Sequence, residues 1–548
     1  MNRLRGRARF AARRSFLPPN YSWFHALLAL LAGAAHAASL AWPWTATQLP
    51  FSLFGLRQGA PVWWLQCLAL GAQAWLLERC KRENSSAHSP VNWRLAALYG
   101  WLFGTAWLAG SFGWTFVALH TYGGLPALLA VLAVLALSGL LALPYAAACG
   151  SYRALAPVQQ AWAAIIFAAL WLLAELARGR WLTGFGWGAS GYAHVEGPLA
   201  GWAPWLGVYG VSFVAACLVM TLVSWRRAAR DRGGRLALVA LLLILVAAPV
   251  LLQRVVPEWT SASGRLGVTL LQGNIPQNEK FETGTGVPQA LEWYGEQLQL
   301  SKTSLVIAPE TAIPVLPQQL PPAYWAAVQQ RFATGEQAAL IGLPLGNYKL
   351  GYTNSVAGFK PGQAEFWRYD KQHLVPFGEF IPPWFKWFTE MMNIPLGDFN
   401  RGALLQAPFA WQGQKVAANI CYEDLFGEEL APQFSTPAQA PTIFVNISNL
   451  AWFGEHLAMD QHLQIARMRA LEFERPFVMS TNTGVSAIVD HRGRVVTSLQ
   501  PNTRAVLVGE VEGRTGVTPY AAWVARFGLW PFWLLALGLV SLAARRAL

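Results

Sequence analysis

The pattern of apolar and polar positions divides the chain into two kinds of territory. Near-continuous apolar runs predict membrane spans at Trp23–Trp42, Pro61–Leu77, Leu95–Phe116, Leu125–Ala148, Ala161–Leu176, Trp205–Trp225 and Leu236–Leu252. Each is about as long as a tilted helix needs to cross a bilayer. A last run, Phe527–Ala543, brings the count to about eight. From about Val255 to Pro519 the pattern changes, and short β-branched runs alternate with amphipathic stretches. Strands are predicted at Leu266–Leu271, Ser304–Ala308, Ala339–Leu343, Val416–Ile420, Thr442–Ile447, Phe477–Ser480, Ser486–Asp490 and Val495–Ser498. Helices are predicted at Pro288–Leu300, Pro321–Thr334 and His456–Glu474. That alternation predicts an α/β domain with its functional residues at strand ends. The expected organisation is a membrane domain over 1–254, a globular domain over 255–520, and a C-terminal span with its tail over 521–548.

Composition agrees: 54% of the 548 residues are hydrophobic and 13% are charged, about half the charge of a soluble protein. The formal net charge of +13 has two readings, nucleic acid or membrane, and its distribution decides between them. Arginines cluster beside alternate apolar runs, at Arg3–Arg14, Arg79–Arg94, Arg153, Arg226–Arg235 and Arg545–Arg546, which is the positive-inside signature. No nucleic-acid surface is expected. Both termini are then cytoplasmic, and the globular domain lies on the opposite, extracytoplasmic side of the membrane. The first run, with its Ala34-Ala-His-Ala-Ala38 stretch, is either an uncleaved anchor or a signal peptide.

The aromatic and glycine-rich loop from Arg178 to Tyr192 falls on the outer face. It reads either as an interfacial belt or as a surface meeting the globular domain or a lipid. Arg178 and Arg180 run against the charge rule there, and a lipid phosphate is a candidate partner.

Of five cysteines, Cys421 alone falls in the exported domain, so it has no partner there for an internal disulfide. It stands where the run Val416–Ile420 breaks into the acidic turn Tyr422-Glu-Asp. A strand-end cysteine is either a packed small hydrophobe or a nucleophile. Glu310 ends another apolar run between prolines, and Lys371 and Glu379 share the rigid loop Tyr369–Pro382. Each alone reads as a solvated loop charge; with Cys421 they form a Glu, Lys, Cys set.

Ala308-Pro-Glu, then Asp370-Lys-Gln-His-Leu-Val-Pro-Phe-Gly-Glu379, then Asn419-Ile-Cys-Tyr-Glu423 resemble, in that order, the carbon–nitrogen hydrolase (nitrilase) superfamily. Set among membrane spans, they are similar to the apolipoprotein N-acyltransferase family, as are Gln272–Gln277, Asn446–Gly454, Gln464–Glu472, Ser480–Gly484 and Leu182–Trp187. The resemblance implies an αββα sandwich on a multi-span membrane domain. It implies catalytic Glu310, Lys371 and Cys421, and acyl transfer from a phospholipid such as phosphatidylethanolamine to the α-amine of a diacylglyceryl apolipoprotein. Phe281 stands where the family has tryptophan. Glu379, Tyr422 and Glu423 are expected to support the triad, Tyr422 through its main-chain N–H. Phe281, Asn449, Trp452 and Phe453 are expected to line the substrate pocket. Trp384 and Phe385 belong to an aromatic run that either packs on the core or dips into the membrane surface as a lid.

No cofactor or metal is called for, and neither Cys-x-x-Cys nor His-Glu-x-x-His occurs. A Cys–His protease using His373, His456 or His462 lacks a local signature around Cys421. A membrane-tethered amidase and a transporter with a silent exported domain remain open alternatives, the latter drawing attention to Glu175.

Overall fold

The computed structural model describes residues 22–45, 56–82, 92–155, 157, 159–228, 232–255, 258–347, 349–381, 399–455 and 457–547. Helices α1 (Trp23–Leu40), α2 (Trp63–Arg82), α3 (Trp93–Phe112), α4 (Ala127–Leu141), α5 (Leu143–Leu155), α6 (Gln160–Arg180), α7 (Ala203–Ala228) and α8 (Arg232–Val255) precede the first strand. Among the described residues, six stretches are long and apolar enough to cross a membrane, α4 and α5 forming one of them. Two expectations change. Helix α2 forms as predicted but is not apolar enough to count, because it carries Gln66, Gln73 and Glu78. These side chains are buried within the bundle. Gln66 meets His194, Gln73 donates to the Cys149 thiol, and Glu78 accepts from the Tyr152 hydroxyl. A polar helix is tolerated at membrane depth when neighbouring helices satisfy it. At the other end of the chain the run is broken: α12 (Pro519–Phe527) and α13 (Trp530–Ala547) meet at 86°, and count as a seventh span only if taken together.

Between them lies a four-layer α/β domain. One six-stranded sheet has the order β12-β1-β2-β3-β4-β5 and the other β11-β10-β9-β8-β7-β6. The first comprises β1 (Thr260–Gln272), β2 (Leu305–Ile307), β3 (Ala338–Asn347), β4 (Gly351–Phe359), β5 (Trp367–Asp370) and β12 (Ala505–Gly516). The second comprises β6 (Phe409–Trp411), β7 (Gln414–Ile420), β8 (Ile443–Ser448), β9 (Phe477–Thr481), β10 (Ala487–Val489) and β11 (Val495–Ser498). The central strands of both sheets are parallel. Such strands are buried on both faces, which is why they read as continuous apolar runs.

Alternation sorts their side chains. Val268, Leu270 and Ile307 point between the sheets to meet Val416, Ala418 and Ile420. Leu271, Val306 and Ile341 point outward onto α9 (Gly286–Leu300) and α10 (Pro322–Thr334). On the far side Ala417, Phe444 and Met479 pack under α11 (Leu457–Phe473). The eight strands expected from the pattern form. Strands β4, β5, β6 and β12 were not expected; β4 opens on the polar run Thr353-Asn-Ser, and β12 is interrupted by Gly509 and Gly513.

The domain is docked onto the membrane helices through polar contacts. Helix α7 breaks at Gly207 (φ 64°), where the Tyr520 ring leaves no room for a Cβ. The helix restarts at Val208, whose N–H donates to Glu472 of α11 at 2.7 Å. That carboxylate sits where a helix start favours negative charge, and Arg469 pairs with it at 2.9 Å.

Candidate active site

Glu310, Lys371 and Cys421 are brought together where strands of the two sheets end. Cys421 opens a helical turn directly after β7, at φ 52°. A side chain with a Cβ adopts that backbone only where its surroundings impose it, and the surroundings here are explicit. Glu423 accepts from the Ile420 N–H at 2.7 Å, Asn446 Nδ2 donates to the Cys421 carbonyl at 3.0 Å, and the Tyr422 hydroxyl donates to the Gly184 carbonyl at 2.9 Å. The last contact ties the nucleophile turn to the membrane domain. Tyr422 is the second residue of the turn, a position whose N–H lacks an intrahelical acceptor.

Glu310 follows β2. Its Oε2 accepts from the Asn449 N–H at 2.9 Å and its Oε1 from Asn354 Nδ2 at 2.6 Å, with Lys371 Nζ at 3.6 Å. The next residue, Thr311, has φ 49°. Gly342 of β3 lies against this turn so closely that a Cβ would stand 2.3 Å from the Pro309 carbonyl oxygen and 2.8 Å from Glu310 Cα. Only glycine lets the Glu310 turn and the sheet approach this far.

Lys371 follows β5, its N–H bonded to the Asn354 carbonyl at 2.8 Å. Its Nζ lies 2.9 Å from Glu379, which also accepts from Asn354 Nδ2 and the Val375 N–H, each at 2.8 Å. The ammonium is 1% exposed, whereas Cys421 and Glu310 are each 8% exposed. The cysteine and the carboxylate therefore keep slightly more exposure than the lysine.

Electrostatics follow from this packing. Burial disfavours the Lys371 ammonium, but Glu379, Glu310 and Cys421 outweigh it and hold its pKa above the usual lysine range. Burial pushes the Cys421 thiol well above its usual pKa, Glu310 adds to the rise, and Lys371 only partly opposes it. Lysine alone thus does not offset burial at this thiol. Burial also raises the Glu423 carboxyl to about 7, against the pull of Lys371 and main-chain donors. Among the described residues Glu423 accepts four hydrogen bonds, from the N–H groups of Ile420, Gln372 and His373 and from the Tyr369 hydroxyl. The carboxylate is the form these bonds fit. Glu423 pins the lysine loop to the nucleophile turn through main-chain N–H groups, whereas Glu379 contacts Lys371 Nζ itself.

Asn449 is at the site through its main chain, and its side chain donates to Gln277 at 2.7 Å. Phe281 is 44% exposed. Trp452 and Phe453 meet membrane-domain aromatics, Tyr122 at 5.2 Å and Trp114 at 4.4 Å. Trp384 and Phe385 lie outside the described residues. The loop after α6 meets the catalytic domain, since Trp187 Nε1 donates to Gln461 at 2.7 Å. The lipid-phosphate expectation for Arg178 is replaced: the side chain is 2% exposed and donates to the Tyr145 hydroxyl and the Phe185 and Trp187 carbonyls. A guanidinium with those buried partners is not presented to lipid.

Asn354, which bridges Glu310 and Glu379, had no signal in the sequence. Neither had Lys280, whose Nζ bonds the Glu310 carbonyl, nor the buried contact of His462 with Asp424 at 3.0 Å under the nucleophile turn. Asn446 was visible only inside the Asn446–Gly454 motif.

Two family models match the chain: the apolipoprotein N-acyltransferase N-terminal domain over residues 58–221, and the carbon–nitrogen hydrolase over residues 267–520. An apolipoprotein N-acyltransferase of Verminephrobacter eiseniae is 53% identical over 517 residues, covering 91% of this chain and 92% of its own. Those of Ralstonia nicotianae (43% identical, 84% and 85% covered) and Bordetella bronchiseptica (40% identical, 96% and 97% covered) are similar across most of their length. The chain is therefore a multi-pass membrane acyltransferase with a nitrilase-like catalytic fold, and it belongs to the apolipoprotein N-acyltransferase family.

Proposed function

We propose that the protein N-acylates the amino-terminal diacylglyceryl-cysteine of apolipoproteins by ping-pong transfer through a Cys421 thioester, with a membrane phospholipid as donor. The observation that carries this reading is the strained Cys421 turn, electrostatically coupled to a carboxylate and a lysine that contact one another at 3.6 Å. As Cys421 Sγ attacks the donor ester carbonyl, Glu310 takes the thiol proton. Lys371 and the Tyr422 N–H stabilise the oxyanion, each donor contributing about 3 kcal/mol. The C–O bond breaks, Glu310 returns the proton to the departing glycerol oxygen, and a lysophospholipid leaves. The neutral α-amine of the acceptor then attacks the thioester. The C–S bond breaks, Glu310 carries the amine proton to sulfur, and the amide product departs with the thiol restored.

The elevated thiol pKa supports a base-assisted attack over a preformed thiolate. Glu379 and Asn354 orient Lys371 and Glu310 in this scheme, and Phe281 and Asn449 border the substrates. The charge bias of the sequence supports cytoplasmic termini and a periplasmic catalytic domain, with phosphatidylethanolamine as an available donor; the domain limits are those read from composition, 1–254, 255–520 and 521–548.

Two-substrate initial-rate kinetics in detergent or vesicles test the scheme. Parallel double-reciprocal lines for phosphatidylethanolamine and a diacylglyceryl peptide are expected. Intersecting lines, requiring both substrates bound together, contradict it, and rapid fatty-acid release independent of the peptide marks a hydrolase instead.

A further inference from the structure

The proposed chemistry leaves one buried cation beside the site unused. Lys280 lies in the turn that follows β1, is fully buried, and among the described residues makes one hydrogen bond from Nζ, to the Glu310 carbonyl oxygen at 3.1 Å. An ammonium has three donors and is costly to bury without a carboxylate partner. Lys371 shows the contrast, with Glu379 at 2.9 Å and Glu310 at 3.6 Å.

The surroundings of Lys280 belong to the site. Gln277, in the same turn, accepts from Asn449, whose N–H donates to the Glu310 carboxylate. The carbonyl that Lys280 holds immediately precedes Thr311 with its φ of 49°. Lys371 approaches Glu310 at the side chain, and Lys280 approaches it at the main chain. The titratable groups facing Lys280 are Glu310 and Cys421, both of which favour its charge.

We propose that Lys280 is a positioning residue for Glu310: it fixes the general-base turn through the main-chain carbonyl, and its protonation state sets how strongly Glu310 holds a proton. The inference rests on the triad reading given above. Burial lowers the Lys280 pKa to about 7, against Glu310 and Cys421, so its charge changes near neutrality. While Lys280 is charged, its field weakens Glu310 as a base. When it loses its proton, Glu310 takes the thiol proton more readily. Acylation should therefore rise as pH passes through about 7.

The test is the single-turnover rate of Cys421 acylation by phosphatidylethanolamine vesicles, followed by intact mass between pH 6 and 9, for the full-length wild type, Lys280→Arg and Lys280→Met. Wild type should show a rising inflection near neutrality. Lys280→Arg keeps the donor and stays charged, so it should lose the inflection and fall about tenfold below wild type at high pH. Lys280→Met should lose the inflection and the anchored turn, lowering the rate at every pH. A wild-type profile without the inflection overturns the proposal, as does a Lys280→Arg profile that keeps it; both hold even if Lys280→Met fails to fold. Absence of any wild-type adduct is a different result, striking the thioester scheme itself.

Discussion

A buried charge cluster in the membrane domain and another around Cys421 in the catalytic domain differ in where their hydrogen bonds end. In the first, Glu175 accepts from the Ser190 N–H and hydroxyl, His36 and Trp171 meet the same hydroxyl, and Arg178 reaches the Phe185 and Trp187 carbonyls. Acid and base alike hold the loop that receives the catalytic domain. In the second, Glu310, Lys371, Glu379 and Asn354 bond chiefly to one another around a thiol on a strained turn. Burial and charge are common to both clusters. What sets the second cluster apart is a cysteine on a strained turn, with a carboxylate that, like the cysteine, keeps 8% exposure.

The comparison can be broken by substitution. Cys421→Ala should keep the fold and lose transfer by about 10⁴-fold or more, because the acyl carrier is gone. Glu310→Gln preserves the shape and removes the base, and a loss of about 10³-fold in acylation rate is expected from single-turnover measurements. Asn354→Leu leaves both carboxylates without their shared donor, each such bond to a charged group contributing about 2 kcal/mol. A loss of about tenfold to a hundredfold in kcat/KM should follow, with the circular dichroism spectrum unchanged.

Two further substitutions belong to the scaffold. Burial lowers the His462 pKa, but Asp424 and the Cys421 main chain outweigh it and hold it above the ordinary histidine value. A raised folded pKa contributes stability that is fully present below the unfolded value and is lost as pH rises through the folded one. The thermal midpoint of the wild type should therefore fall as pH is raised above 6.5, and His462→Asn should flatten that fall. Arg178→Met should have the smallest effect on chemistry. Leaving its buried partners unpaired costs about 3–5 kcal/mol of stability, lowering folded yield, while turnover per folded molecule stays close to wild type. A large loss of turnover in well-folded Arg178→Met would erase the distinction between the clusters.

Much of this was legible in the chain. The spans and the parallel strands announce themselves because full burial demands continuous apolar runs, and Glu310 and Cys421 stand where such runs stop, whereas Lys371 follows the short, polar β5 and was legible only in its loop motif. Asn354 was hidden because β4 starts in polar residues, so neither the strand nor the facing of its side chain shows in the pattern. Lys280 carried no signal, because only the folding of the Gln277–Lys280 turn against Glu310 buries it. The polar side chains of helix α2 find partners far away in sequence, at His194, Cys149 and Tyr152, which the pattern does not show. Arg178 shows the same limit, since its carbonyl partners become visible only once the loop folds back on α6.

The central claim is that the catalytic-domain cluster exists to load and unload one sulfur. Intact-mass and peptide-mapping analysis of wild-type protein incubated with phosphatidylethanolamine, with no acceptor present, tests it most directly. The account predicts one hydroxylamine-labile acyl group on Cys421, discharged on adding a diacylglyceryl peptide and absent in Cys421→Ala. Full transfer activity in Cys421→Ala, with no adduct on the wild type, would contradict it.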